Sequence, residues 1–499
     1  MDEGATLRES EQVRLQLSAA RVAAIIDQTN RSGHRRQGAA YARLADSLRQ
    51  AIVDGRLPQA ARMPSERELT EAIGLSRTTV TRAYTDLRQQ GYLLTRRGSG
   101  SVVRVPAVPG GRVDHLLSPS SPDGGDVIDL TCTAQGAPGQ LSDAYARALD
   151  DLGGYLPGTG YYPGGLPVLR QRIAARFTRR GLATEPDQVI VTAGALAGLA
   201  TACAALVRRG DAVLVESPTY PNAIATLKGS GARIVAHPID HLTSDWDLAG
   251  LTTALGRGGV RAAYLIPDFH NPTGALMSAA QRSDLARLLR AAGTTPIVDE
   301  SLADLALDAT PMPAPLGSLL PTALTIGSAS KTLWGGLRIG WLRASRDRLD
   351  DLATSRLRLD LGAPVIEQLA TAHLLESYDE IIAERRRHLL EGRDVLLAGL
   401  AKHLPDWRVR TPHGGMALWC ALPRQGSTLL AQAARRHGVA LASGPNFAPT
   451  GGLDGWIRLP YALPKGQLAQ VPERLAAAWA DVLSGRLRPS RGGRHRIIA

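Results

Sequence analysis

From residue 188 the chain falls into a repeating alternation. Short apolar runs at 188–192, 212–216, 233–236, 262–266, 296–299 and 323–327 are separated by stretches with helical spacing. Runs this short and this continuously apolar are strands covered on both faces. Strands joined through helices pair in parallel, so the pattern predicts an α/β fold with a mainly parallel sheet between helical layers. Regions around 141–180 and 385–484 lie outside the alternation. The latter has strand-like segments at 407–410, 415–420 and 455–459, which predicts a smaller C-terminal α+β subdomain. No internal repeat is present.

The pattern ahead of this run is different. Residues 106–126 are rich in Pro, Gly and Ser without sustained periodicity, and read as an interdomain linker. Residues 1–36 form an N-terminal extension, with a helix expected over 12–28 whose apolar line is Val13, Leu17, Ala20 and Ala24; 35–38 reads as loop. Residues 37–105 read as a separate domain. A helix over 41–55 carries Leu44, Leu48 and Ile52 on one face. Ser65 and Glu68 have the spacing of a capping box, with Leu69 and Ile73 facing inward and Gly74 as a stop. Ser76 caps another helix, with Val80, Ala83, Tyr84 and Leu87 as its buried face. Segments 92–95 and 101–105 are strand-like around a basic, glycine-rich tip. Three helices with a tight turn between the last two, followed by a hairpin, outline a winged helix-turn-helix.

Charge sharpens that reading. The chain carries a net +12, and residues 1–105 hold 17 Arg against 11 Asp and Glu, so half of the excess sits on the first fifth. A basic segment of this kind points to a polyanion. Arg77 opens the last helix and can make a bidentate contact to guanine, with Arg82 one turn on. Ser76, Thr78 and Thr79 can donate to phosphate oxygens, while Arg62, Ser65 and Arg67 would lie against the backbone of the duplex. Arg96, Arg97 and Gly98 sit at the wing tip, where glycine permits close approach to the minor groove. The tail, 485–499, carries five arginines and reads as solvated.

Other compositional features narrow the setting. Cys132, Cys203 and Cys420 are far apart with no CxxC pair, which argues against a disulfide framework or a zinc ribbon, and no metal site is expected. The start of the chain lacks a basic-then-apolar leader, and the longest small-apolar run, 192–207, is short of a membrane span. A cytoplasmic protein is expected.

Residues 41–55, the stretch MPSERELTEAIGLSRTTVTRAYTDLRQQGYL (63–93) and RRGSGSVV (96–103) together resemble the DNA-binding domain of GntR-type bacterial regulators. Ala61 and Met63 depart from the usual Gly and Leu of that family.

Only four lysines exist, and Lys331 has distinctive surroundings. It lies in GSASKT, directly after an apolar strand, with Arg338 seven residues on. Ser328, Ser330 and Arg338 supply hydroxyls and a cation for a phosphate beside an amine able to hold an aldehyde. Upstream, TAGAL is a strand–Gly turn–helix junction whose first amides, at Ala195 and Leu196, can face an anion. Asp299 ends a strand where a carboxylate can hold a pyridine nitrogen protonated. Asn271 can bond the ring hydroxyl, and Tyr220 can stack on the ring face. This set outlines a pyridoxal 5′-phosphate pocket.

Residues 127–484 resemble fold-type-I aminotransferases through GYYPGGLPVLR (160–170), VTAGALAGL (191–199), SPTYPNA (217–223), HNPTGA (270–275), VDE (298–300), SASKTLWGGLRIGW (328–341) and WIRLPYA (456–462). The resemblance implies that Lys331 forms the internal aldimine and Asp299 partners the pyridine nitrogen. Asn271 would bind the ring oxygen, and Ala195, Leu196, Ser328, Ser330 and Arg338 the phosphate. Arg458 is similar to the arginine that clamps a substrate α-carboxylate. Ser301 stands where the family commonly has a tyrosine contacting the ring oxygen. That departure bears on the electronic tuning of the ring.

A GntR-type winged helix joined to an aminotransferase-like domain is similar to the MocR-like regulators. The resemblance implies a pyridoxal-phosphate-dependent transcription regulator that binds operator DNA and senses an amine, an amino acid or the cofactor. It also implies a head-to-tail homodimer. The alternative is an active aminotransferase with an accessory DNA-binding domain; a purely structural nucleoid protein leaves the cofactor set unexplained.

Overall fold

The computed structural model describes residues 16–32, 39–53, 56–57, 61–96, 100–104, 127–240, 243, 246–256 and 258–485. The expected loop at 35–38, the linker at 106–126, the tail beyond 485 and the wing tip at Arg97 and Gly98 lie outside these residues, as does the side chain of Arg96. Contacts divide the chain into two compact units, Met1–Arg112 with Ala137–Asp143, and Val113–Gly136 with Ala144–Ala499.

The first unit contains α1 (Ala19–Ser32), α2 (Ala40–Val53), α3 (Glu66–Ile73) and α4 (Arg77–Gln89), then the hairpin β1 (Leu93–Arg96) and β2 (Gly100–Val103). Its core joins Leu44, Leu48, Ile52, Leu69, Val80, Tyr84, Leu87, Leu93 and Val103. The capping box is formed: the Glu68 amide donates to Ser65 Oγ at 3.2 Å and the Ser65 amide to Glu68 at 2.8 Å. Gly74 ends α3 at φ +68°, a left-handed conformation that favours glycine.

The first helix differs from expectation. It begins at Ala19, and Leu17 lies before it in an extended stretch whose amide donates to the Arg62 carbonyl at 2.9 Å. Val22 and Ile26 are buried while Ala20 and Ala24 are exposed. The larger side chains set the buried face because each removes more apolar surface from water than alanine does.

In the second unit, β3 (Ile128–Leu130) comes first and belongs to a smaller sheet. Strands β4 (Val189–Thr192), β5 (Ala212–Ser217), β6 (Arg233–Pro238), β7 (Val260–Leu265), β8 (Thr295–Asp299), β9 (Leu324–Ser328) and β10 (Gly340–Arg343) make a seven-stranded sheet in the order β4-β10-β9-β8-β7-β5-β6. Only β10 runs against its neighbours, wedged between β4 and β9. One face packs Ile190, Val213, Tyr264, Ile297 and Ile326 against the helix Ala195–Leu206; the other packs Leu214, Ala263, Leu265 and Val298 against the helix Ala279–Ala291. A five-stranded sheet carries the smaller subdomain. It contains Arg408–Val409, Ala417–Ala421, Trp456–Pro460 and Val439–Ser443, with β3 added in parallel at one edge. Among the described residues no helix is long and apolar enough to cross a membrane.

Candidate cofactor site and DNA-reading helix

The N-terminus of α4 is built from hydroxyls. Ser76 Oγ accepts from the Thr79 amide at 3.2 Å and lies 2.9 and 2.8 Å from the hydroxyls of Thr78 and Thr79. The buried face of α4 is the expected one, and the Tyr84 hydroxyl donates to the Pro64 carbonyl at 3.0 Å, pinning the helix to the start of α3. Glu66 adds a second lock by accepting from Thr81 at 2.7 Å and pairing with Arg88.

The arginines here are not equivalent. Arg77 and Thr78 are exposed on the first turn, and Arg77 pairs with no acidic side chain among the described residues. Arg67 bonds Glu71 at 3.1 Å, and the Arg82 guanidinium lies 4.0 Å from the centroid of the Tyr41 ring. Arg62 bridges to Val102, and its side chain runs beside Gly100 at the base of the wing.

In the second unit, the sheet brings the ends of β4, β5, β7, β8 and β9 to one edge, the usual place for a ligand in an open α/β sheet. After β4, Gly194 stands at φ +92° ahead of the helix Ala195–Leu206. Glycine offers no side-chain cap, which leaves the first amides of that helix open to an anion. The cradle is tight: a Cβ on Gly194 would lie 2.9 Å from Arg338 Nη2, and one on Gly340 would lie 2.5 Å from the Gly194 carbonyl carbon. Arg338 reaches back to donate to the Ala193 carbonyl at 3.2 Å, and Ser328 Oγ accepts from the Ser330 amide at 3.1 Å.

Asp299 closes β8. One carboxylate oxygen accepts from the Ser301 amide at 2.9 Å and the other from the Tyr264 hydroxyl at 2.7 Å. Ser301 Oγ is buried with no hydrogen-bond partner among the described residues. It adjoins a shallow cleft whose walls include Phe177, Arg180, Glu300 and Trp341.

Lys331 Nζ donates to the Thr133 carbonyl at 3.0 Å and hydroxyl at 3.2 Å. Loss of hydration lowers its pKa to about 8. Cys132 and Asp299 oppose that shift, and the charges of Arg458 and Arg338 add to it. Arg458 is wholly buried and lowered to about 10 for the same leading reason. It donates to the Thr131 carbonyl at 2.7 Å and to Asn271 Oδ1 at 3.3 Å, with the Phe447 ring centroid 4.9 Å away. Tyr220 caps the next helix; its hydroxyl accepts from Asn222 at 2.9 Å, and burial raises its pKa. Lys331, Asp299, Asn271, Tyr220 and Ser330 each retain partial exposure, as side chains lining a recess do.

Thr131, Thr133, Tyr264 and Phe447 carry no signal in composition or spacing. Two act through carbonyls, and two read as ordinary core positions.

Residues 139–475 match the family described as aminotransferase class I and II, and residues 40–103 match the gntR family of bacterial regulatory proteins. The chain belongs to the aminotransferase class I and II family, in the MocR-like arrangement with a GntR-type N-terminal domain. Similar proteins include both regulators and enzymes. This MocR-like chain is 28% identical to an uncharacterized HTH-type transcriptional regulator, YdcR, of Escherichia coli K12, across 84% of this chain and 93% of that one. It is 32% identical to the HTH-type pyridoxine biosynthesis transcriptional regulator PdxR of Corynebacterium glutamicum, across 69% and 74%. Among solved structures, it is similar to the α-aminoadipate aminotransferase LysN of Thermus thermophilus, determined with N-(5′-phosphopyridoxyl)-L-leucine. That likeness has a TM-score of 0.67 and 28% identity, and covers 72% of this chain and 93% of the other.

Proposed function

We propose that this MocR-like chain is a DNA-binding transcription regulator that holds pyridoxal 5′-phosphate at Lys331 and senses an amine, an amino acid or the cofactor itself. One observation carries the reading. A lysine amine lowered to about 8 sits beside Asp299, in a loop that also approaches an uncapped helix N-terminus and Arg338. The donor set fits the group. Open amides at Ala195 and Leu196, the hydroxyls of Ser328 and Ser330, and Arg338 match a phosphate. Asp299 matches a protonated ring nitrogen, Asn271 a ring oxygen and Tyr220 a ring face. When bound, the cofactor supplies an electron-withdrawing ring. The protein holds, orients and dehydrates that ring.

Arg458 gives the effector its chemistry: a buried guanidinium favours a carboxylate. Arg458 Nη2 donates to the Thr131 carbonyl and Lys331 Nζ to Thr133. A carboxylate at Arg458 and the cofactor at Lys331 would both bind groups that touch one short segment, where a differential interaction could bias the domain arrangement. Tyr161, Leu357, Leu359 and Leu361 are exposed apolar residues on neighbouring segments, which supports a homodimer. The reading places the protein in the cytoplasm, with double-stranded DNA as its macromolecular partner.

The neutral amine is the nucleophile, so capture of pyridoxal phosphate is expected to accelerate as pH rises and to level off above about 8. Stopped-flow absorbance from pH 6 to 10 checks this; a rate still climbing steeply near 10 contradicts the lowered amine.

The second reading, a working aminotransferase with an accessory DNA-binding domain, is favoured by the coexistence of Lys331, Asp299 and Arg458 around one recess. Fluorescence anisotropy on the chain's own upstream DNA, with and without pyridoxal phosphate and amino acids, separates the two when run beside a transamination assay. Regulation predicts DNA affinity that responds to these ligands without steady turnover. Sustained turnover with unresponsive DNA binding supports the enzyme.

A further inference from the structure

The carboxylate of Asp299 has a donor on each oxygen, and one is a side chain from the adjacent strand. Tyr264 lies on β7, whose register with β8 sets Tyr264 beside Ile297 and Leu265 beside Val298. It is fully buried and its hydroxyl reaches Asp299 Oδ2 at 2.7 Å. Burial first, then the Asp299 charge, holds the phenol's pKa well above its ordinary value, so it remains a donor throughout the range in which the protein is folded. Ser301, where the family commonly has a tyrosine contacting the ring oxygen, donates its backbone amide to Asp299 at 2.9 Å.

We propose that Tyr264 is a positioning residue that fixes the plane of the Asp299 carboxylate and holds it as an anion facing the cofactor ring nitrogen. The inference rests on the reading above, that Asp299 faces that nitrogen. The two donors approach different oxygens, so the carboxylate cannot rotate without losing one of them. Each donor also stabilises negative charge on Asp299 and so leaves the proton on the ring nitrogen. Removing the hydroxyl lets the carboxylate draw that proton toward itself. With pyridoxal phosphate bound, Asp299 would then stabilise less positive charge on the ring, and the Lys331 nitrogen would keep its proton to higher pH. The charged and titratable neighbours of this pair are Glu216 on β5, Tyr220 at the next helix, and Lys331, Arg338, Arg458 and Cys132 around the recess.

The test is a pH titration of the visible band of bound pyridoxal phosphate in the full chain, comparing wild type, Tyr264→Phe, Tyr264→Met and Asp299→Ala. Loss of one hydrogen bond to a charged group is expected to move the midpoint upward by about one pH unit in both Tyr264 variants. A larger upward shift is expected in Asp299→Ala. A Tyr264→Phe protein that binds pyridoxal phosphate more weakly but keeps the wild-type midpoint has lost only packing, and that result overturns the proposal. So does a downward shift. Tyr264→Met keeps the test decisive if the phenylalanine variant fails to fold. Wild-type protein that takes up no cofactor defeats the underlying reading, and is distinguishable because no band exists to titrate.

Discussion

Replacing Lys331 with alanine abolishes covalent uptake of pyridoxal phosphate and removes the absorption band near the violet edge. The other lysines are Lys228, Lys402 and Lys465, and Lys228 is already committed to the Pro449 carbonyl at 3.0 Å. The groups proposed to hold the phosphate remain in the variant, so weak, non-covalent binding is expected and is detectable by equilibrium dialysis.

The same lysine has a stability consequence. Its folded pKa of about 8 lies below the unfolded value near 10.5. Between those values the unfolded chain binds more protons, so stability rises with pH across that window, and below about 8 the full cost of burying the charge is present. Lys331→Met keeps most of the packing and removes the charge. At pH 7 the cofactor-free variant should gain on the order of 2 kcal/mol, after allowing for lost hydrogen bonds to Thr133. The gain should vanish near pH 10.5 in denaturant titrations. A cofactor-free variant no more stable than wild type at pH 7 contradicts the shift.

Arg77→Ala has the largest expected effect on DNA recognition. Most arginines around the reading helix are engaged: Arg67 with Glu71, Arg82 with the Tyr41 ring and Arg88 with Glu66. Arg77 is exposed on the first turn of α4, where recognition helices meet base edges. A bidentate arginine–guanine contact is worth about 1–3 kcal/mol per half-site. Two half-sites in the proposed dimer then imply a loss of about 30-fold or more in operator affinity. Binding to unrelated DNA should fall only slightly, and the cofactor band should not change. Arg82→Ala should cost less, because Tyr41 already competes for that guanidinium. Equal losses on operator and unrelated DNA would reduce Arg77 to a phosphate contact.

The parts of this architecture that rest on burial were legible in the sequence. The central strands end within a few residues of the apolar runs because both faces are covered and the signal is continuous. Strand β10 is hidden inside a motif that stands out for its arginine. Strand Val439–Ser443 is alanine-rich, and β3 is only three residues long, so neither stands out as a run. In the first helix Ala20 and Ala24 share a line at helical spacing, but the larger Val22 and Ile26 provide the buried face, one that counting apolar residues alone does not distinguish.

The candidate site divides in the same way. Lys331, Asp299 and Arg338 announce themselves by chemistry at the end of a strand or in a loop. Thr133 meets Lys331 across 198 positions of sequence and through its backbone as well as its hydroxyl. Tyr264 looks like any aromatic in a buried strand until its hydroxyl is seen to reach Asp299, two residues beyond its paired Ile297 on the neighbouring strand.

The most direct test is chemical. Wild-type protein is incubated with pyridoxal phosphate and reduced with borohydride, and the pyridoxyl group is located by peptide mass mapping. The account predicts one modified peptide, containing Lys331, and a change in operator affinity when the cofactor is supplied before reduction. Modification confined to other lysines, or none at saturating cofactor, contradicts it.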